Sequence, residues 1–149
     1  TNDALGGISR LVDMGVEPFL VSASVRAFLA QRLVRRLCSH CKIPVDVPAE
    51  QRHRLGIPDH ITGQVYEPVG CDKCRNTGFS GRLAIYEVIL IGSEMEELVA
   101  KNAASPILKA QAVKDGYIPM REYGWHKVMK GITTIEEVVS VTATDIASQ

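Results

Sequence analysis

Residues 36–42 read RLCSHCK and residues 70–91 read GCDKCRNTGFSGRLAIYEVILI. Cys38 and Cys41 make one C-x-x-C pair, Cys71 and Cys74 make a second, and 29 residues lie between the pairs. Two residues between cysteines allow a tight turn that aims both sulfurs at one cation while backbone N–H groups donate to the thiolates. Two such turns complete a tetrahedral four-sulfur shell, the geometry of structural Zn²⁺. With all four positions filled by protein there is no open site for a substrate or an activated water, which argues against a catalytic zinc. A bare site of four thiolates and one Zn²⁺ carries a charge of −2, which Arg36, Lys42, Lys73 and Arg75 flank. His40 lies inside the first pair, but four thiols make it a bystander. Two disulfides would need an oxidising compartment, and a redox site has one pair after a strand rather than two matched pairs.

Outward from the cysteines, residues 42–70 hold Pro44, Pro48, Gly56, Pro58, Gly63, Pro68 and Gly70. They read as an irregular insertion with one short helix near residues 50–55, ordered by the metal rather than by packing. After Gly81, RLAIYEVILI is rich in strand-forming residues and bounded by Gly92, which predicts a strand. Before the first pair, residues 3–15 read as a helix capped by Asn2 or Asp3 and stopped at Gly15. Pro18 starts a second helix whose stripe Val21, Val25, Phe28 and Leu29 faces a core, and residues 31–37 read equally as helix or strand. Past residue 92 the signals are helical. Ser93 with Glu96 and Thr134 with Glu137 have capping-box spacing, Ser105-Pro106 starts a helix that Gly116 ends, and Pro119 starts another that Gly131 ends.

The whole chain has 149 residues, 46% hydrophobic and 23% charged, with 17 basic and 17 acidic side chains. This composition is that of a globular protein and excludes a disordered or collagen-like chain. Zero net charge argues against a general polyanion binder. The longest apolar run, Leu83 to Ile91, is interrupted by Glu87 and is far short of the roughly 20 residues of a membrane helix. The chain opens Thr1-Asn2-Asp3 without a methionine, which reads as a piece of a longer protein.

MGVEPF (14–19), AQRLVRRLCSHC (30–41), GCDKCRNTGFSGRLAIYE (70–87) and KGITTIEEVVSV (130–141) resemble the C-terminal part of type II secretion and type IV pilus assembly ATPases. The resemblance implies an α/β fragment in four segments. Residues 1–37 would be the closing edge of a RecA-like motor core, and 38–79 a tetracysteine zinc-binding insertion. Residues 80–92 would be a β-segment returning to the core, and 93–149 a C-terminal helical bundle. It further implies a homo-hexamer binding ATP and Mg²⁺ at subunit boundaries. That motor would act on the cytoplasmic side, peripheral at the bacterial inner membrane, with a platform protein and cytoplasmic assembly proteins as partners. Arginines matching Arg10 and Arg82 would reach toward a nucleotide across a subunit interface, as planar donors to γ-phosphate charge.

No G-x-x-x-x-G-K-[ST] phosphate loop occurs: Gly6-Gly7 and Gly78 to Gly81 are not followed by Lys-Ser/Thr. The chain alone is therefore expected not to hydrolyse ATP. Two other readings are a zinc-ribbon nucleic-acid module and a purely structural zinc-stabilised interaction domain. The first needs a basic groove with stacking aromatics, whereas the insertion offers Tyr66 and Phe79 among mixed charges, so no nucleic-acid partner is expected. Arg26, Arg32, Arg35 and Arg36 form a basic cluster that reads as a solvated face, or else as a contact with acidic lipid or a neighbouring subunit. Tyr123 and Trp125 read as packing residues.

Overall fold

In the computed structural model, residues 4–147 are described, with side chains through residue 142. The helices are α1 (Ala4–Asp13), α2 (Pro18–Ser24), α3 (Ala49–Leu55), α4 (Ser93–Ala100), α5 (Ser105–Lys114), α6 (Met120–Met129) and α7 (Ile135–Ala147). The strands are β1 (Ala27–Leu37), β2 (Ile43–Val45), β3 (Val65–Glu67) and β4 (Phe79–Leu90). β1 pairs with β4 in one two-stranded sheet and β2 with β3 in another.

The chain divides into two compact units, Thr1–Gln31 with Tyr86–Pro119, and Arg32–Ile85 with Met120–Gln149. The divisions fall inside β1 and β4, so each strand runs from one unit to the other. In the first unit α2 packs on α4, and α1 packs on α2 and α5. Its core is Ala4, Ile8, Val21, Ile89, Ile91, Met95, Val99, Leu108 and Ala112. In the second, α6 packs on α7 and β3 around Ile57, Ile61, Val65, Trp125, Val128 and Val138. Trp125 is 1% exposed, so it is a packing residue. The C-terminal helices, expected together, are shared out: α4 and α5 belong to the first unit, α6 and α7 to the second.

Several local expectations change. The second helix ends at Ser24, and residues 27–37 are strand, so Phe28 and Leu29 do not extend a helical stripe. Val25 is already extended, and from Ala27 to Val34 exposure alternates residue by residue, the period of a strand with one face covered. A helix would have buried Leu29, which is 60% exposed. Pairing with β4, distant in sequence, decided between two periods that short apolar runs leave open. The proposed caps of α1, Asn2 and Asp3, lie outside the described residues. Gly92 occupies the N-cap of α4 and its carbonyl accepts the Glu96 N–H, so Ser93 and Glu96 form no capping box. At α7 half of the box forms: the Glu137 N–H donates to Thr134 Oγ1 at 3.1 Å, while the Glu137 carboxylate is taken by Arg35.

The insertion is more regular than its glycines and prolines suggest. β2 and β3 pair antiparallel with Ile43 opposite Glu67, Pro44 opposite Tyr66 and Val45 opposite Val65. Ile57, Ile61 and Val65 are buried against α6 and α7. Packing therefore orders the middle of the insertion, contrary to the expectation that metal orders it throughout.

Candidate metal centre

β1 ends at Leu37 and β4 begins at Phe79, so the two C-x-x-C pairs sit at adjacent strand ends. The Cys38 N–H donates to the Gly78 carbonyl at 2.9 Å and joins the two turns directly. After Cys71 the chain makes a single 3₁₀ turn, Asp72–Cys74, then passes through Arg75 and Asn76, both left-handed with φ of 56° and 61°. The 3₁₀ turn sets the Cys74 sulfur beside that of Cys71, and the left-handed pair turns the chain so that the Gly78 N–H reaches Cys74 Sγ.

The four sulfurs lie within 4.8 Å of one another. Cys38–Cys71, Cys41–Cys74 and Cys71–Cys74 are each 3.8 Å apart. Zn–S bonds of about 2.3 Å in a tetrahedron place sulfurs about 3.8 Å apart, so the donor set fits a tetrahedral thiophilic ion. All four cysteines are free, and a disulfide would require about 2.05 Å. Backbone donors serve the sulfurs: Gly70 N–H to Cys41 at 3.3 Å, the Cys71 and Gly78 N–H groups to Cys74, each at 3.2 Å, and the Cys74 and Lys73 N–H groups to Cys71. Burial pushes the thiols up. At Cys74 the Cys71 and Gly78 N–H groups together with the Cys71 and Cys41 thiols outweigh burial and pull it down to about 6, while at Cys71 burial and the Cys74 and Cys38 thiols outweigh the N–H donations and push it up to about 11.

Among the described residues this cluster holds the four cysteines and not His40, which is exposed. Lys42, expected to offset the thiolates, instead donates to the Gly131 carbonyl at 2.9 Å and lies 4.4 Å from the Tyr66 ring centre. It braces the first turn to the corner between α6 and α7. The glycines at 70 and 78, flanking the second pair, were the signal for these backbone donors and went unread in the sequence.

A model of the type II/IV secretion system protein family matches residues 1–140. The chain belongs to this family. It is 44% identical over 143 residues to the type IV pilus assembly ATPase TfpB of Acinetobacter baylyi, covering 95% of this chain and 24% of that protein. It is 47% identical over 148 residues to the type IV pilus assembly ATPase PilB of Myxococcus xanthus, covering 97% and 26%. It is 41% identical over 145 residues to type II secretion system protein E of Aeromonas hydrophila, covering 97% and 29%. The chain thus spans about a quarter of the length of these curated relatives.

The two arginines singled out by the family resemblance fall in different units. Arg10 is exposed on α1 beside a depression of about 290 Å³ lined by Gly6, Ser9, Asp13 and Met14. Arg82 is exposed on β4 of the second unit. The basic cluster is not one free surface. Arg26 pairs with Glu96 at 3.5 Å, and Arg35 is bound to Glu137 through Nη2 at 2.7 Å, Nε at 2.9 Å and its backbone N–H at 2.9 Å. The Arg35 guanidinium also stacks 4.0 Å from the Phe79 ring centre, at the exit of the second cysteine turn. No helix among the described residues is long and apolar enough to cross a membrane.

Proposed function

We propose that this chain is the C-terminal part of a motor ATPase that powers pilin or pseudopilin assembly in type IV pilus biogenesis or type II secretion. The observation that carries this reading is identity of 41–47% over 95–97% of the chain to proteins named pilus assembly ATPase or secretion protein E. In this reading residues 1–37 close a RecA-like core, 38–79 are the zinc insertion, 80–92 return to the core and 93–149 form the C-terminal helical part. Cys38, Cys41, Cys71 and Cys74 hold a structural Zn²⁺, whose four-thiolate shell admits no substrate. The metal pins the ends of β1 and β4, and those strands carry the contacts to the rest of the motor.

ATP and Mg²⁺ are bound mainly by residues outside this chain, which has no phosphate loop. Arg10 and Arg82 reach nucleotide across a subunit boundary of a homo-hexamer. The assembly works peripherally on the cytoplasmic face of the inner membrane, with the platform protein and cytoplasmic assembly proteins as partners and no nucleic acid. The test is a pair of purified proteins. The full-length protein is expected to hydrolyse ATP and to hold one zinc per protomer by atomic emission, whereas the isolated chain holds zinc without turnover. Turnover that follows the isolated chain through purification, or a full-length protein without turnover, overturns the reading.

A further inference from the structure

Glu87 stands inside the most apolar stretch of the chain and is 3% exposed, yet neither the metal centre nor the arginines account for it. Its Oε1 accepts the backbone N–H of Ala4 at 2.5 Å, and its Oε2 accepts the Tyr117 hydroxyl at 2.8 Å. All three residues belong to the first unit. Burying a carboxylate is costly unless it is well bonded, and an apolar side chain of similar size often packs as well or better. Packing alone gives no reason for an acid here. What a carboxylate does that leucine cannot is accept two hydrogen bonds at once from separate segments.

One of those segments is the start of α1. The first N–H groups of a helix lack partners within the helix and carry partial positive charge, so an anion there is held by both hydrogen bond and dipole. The other segment is the turn after α5, through Tyr117. Further along α1, Gly7 lies so close to Phe28 that a Cβ would sit 2.6 Å from its ring, and Ile8 is 3% exposed. α1 is therefore gripped at its beginning by Glu87 and in its middle by Phe28. Arg10 projects from the far end, about 9 Å along the axis from Ala4 at 1.5 Å per residue.

We propose that Glu87 is a positioning residue. By fixing where α1 begins, it sets the direction in which Arg10 is presented, and so acts on nucleotide turnover without touching nucleotide. This rests on the reading of Arg10 given above and deepens it. The tyrosine is part of the device, because its hydroxyl holds the second carboxylate oxygen and keeps the first aimed at α1.

The test uses the full-length protein with Glu87→Gln, Tyr117→Phe, Arg10→Ala and the double variant Glu87→Gln/Arg10→Ala. Glutamine keeps the size of the side chain but offers one accepting oxygen. Hydrogen exchange of a peptide spanning residues 4–13 reports the anchor, and steady-state ATP turnover reports its consequence. Glu87→Gln is expected to speed exchange in α1 and to lower kcat about tenfold, the effect of losing one good hydrogen bond, with KM within about twofold. Tyr117→Phe follows in the same direction. In the Arg10→Ala background, Glu87→Gln is expected to lower kcat no further. Unchanged exchange in α1 overturns the anchor. A kcat loss that multiplies with that of Arg10→Ala assigns Glu87 to packing and overturns the link. If Arg10→Ala alone leaves kcat unchanged, the reading of Arg10 fails and the link with it, while the exchange result judges the anchor separately.

Discussion

Stripping the metal with a high-affinity chelator is expected to open residues 68–78 while residues 55–67 stay in place. The two parts of the insertion are held by different forces. Ile57, Ile61 and Val65 are 4%, 2% and 6% exposed, buried against α6 and α7. At about 1.5–3 kcal/mol per buried aliphatic side chain they contribute roughly 4.5–9 kcal/mol, an upper bound that the metal does not touch. The Arg52 guanidinium adds bonds to the Pro58 and Ile61 carbonyls at 3.2 and 2.6 Å. Between residues 68 and 78 the buried apolar group is the Cys74 side chain itself. Arg75 and Asn76 are left-handed, which costs roughly 1–2 kcal/mol each for residues with a Cβ. Zinc binding of about 10–16 kcal/mol, the range of small structural sites, exceeds that strain several-fold; without it, nothing of comparable size holds the loop.

Trypsin supplies the assay, because Lys73 and Arg75 are exposed inside the metal-held turn, and Arg52 and Arg54 on α3 serve as internal controls. Mass spectrometry after chelation should show early cleavage at 73 and 75, with cleavage at 52 and 54 trailing far behind. Excess zinc should restore resistance. If chelation leaves sites 73 and 75 as resistant as before, the metal is not what orders the turn. If all four sites open together, packing of Ile57, Ile61 and Val65 does not hold the middle of the insertion.

Gly131 has φ of +72°, and a Cβ there would fall 2.8 Å from the Tyr66 ring and 3.0 Å from Lys42 Nζ. Gly131→Ala is therefore expected to cost about 1–3 kcal/mol in urea unfolding, through backbone strain and displacement of the Lys42 brace. Glu137 gives a pH signature. Burial pushes its carboxyl up, but the hydrogen bonds and charge of Arg35 outweigh this and hold it below the usual 4.5. A depressed folded value means that the stabilisation is complete above 4.5 and is lost as pH falls through the folded value. Wild type should exceed Glu137→Gln in stability at neutral pH, with the gap closing in acid; a gap constant with pH would refute the assignment. Arg82→Ala in the full-length protein is expected to lower ATP turnover at least about tenfold while zinc content and melting temperature stay unchanged. Unchanged turnover would leave Arg82 as a surface residue.

The four-cysteine cluster was legible because its information is local. Two C-x-x-C pairs specify four sulfurs and two tight turns, whatever the rest of the chain does, and glycines and prolines mark the turns and helix ends from φ restrictions alone. Charges were legible as types but not as partners. Arg35 belonged to a basic cluster in the sequence, and tertiary contact with Glu137, 102 residues away, makes it a structural ion pair. The same holds for Glu87, whose carboxylate accepts the Ala4 N–H at the start of α1 from 83 residues away.

The sequence by itself determined the four-cysteine cluster, the chain's kinship and most helix ends, because these follow from residue type and short-range spacing. Tertiary structure alone decided that residues 27–37 are a strand, and that the insertion is anchored by Ile57, Ile61 and Val65. It alone decided that the C-terminal helices divide between two units. Each of those outcomes turns on which apolar or charged surfaces meet across long sequence separations. The free energy of such contacts exceeds local propensity, and no window of the sequence contains both partners.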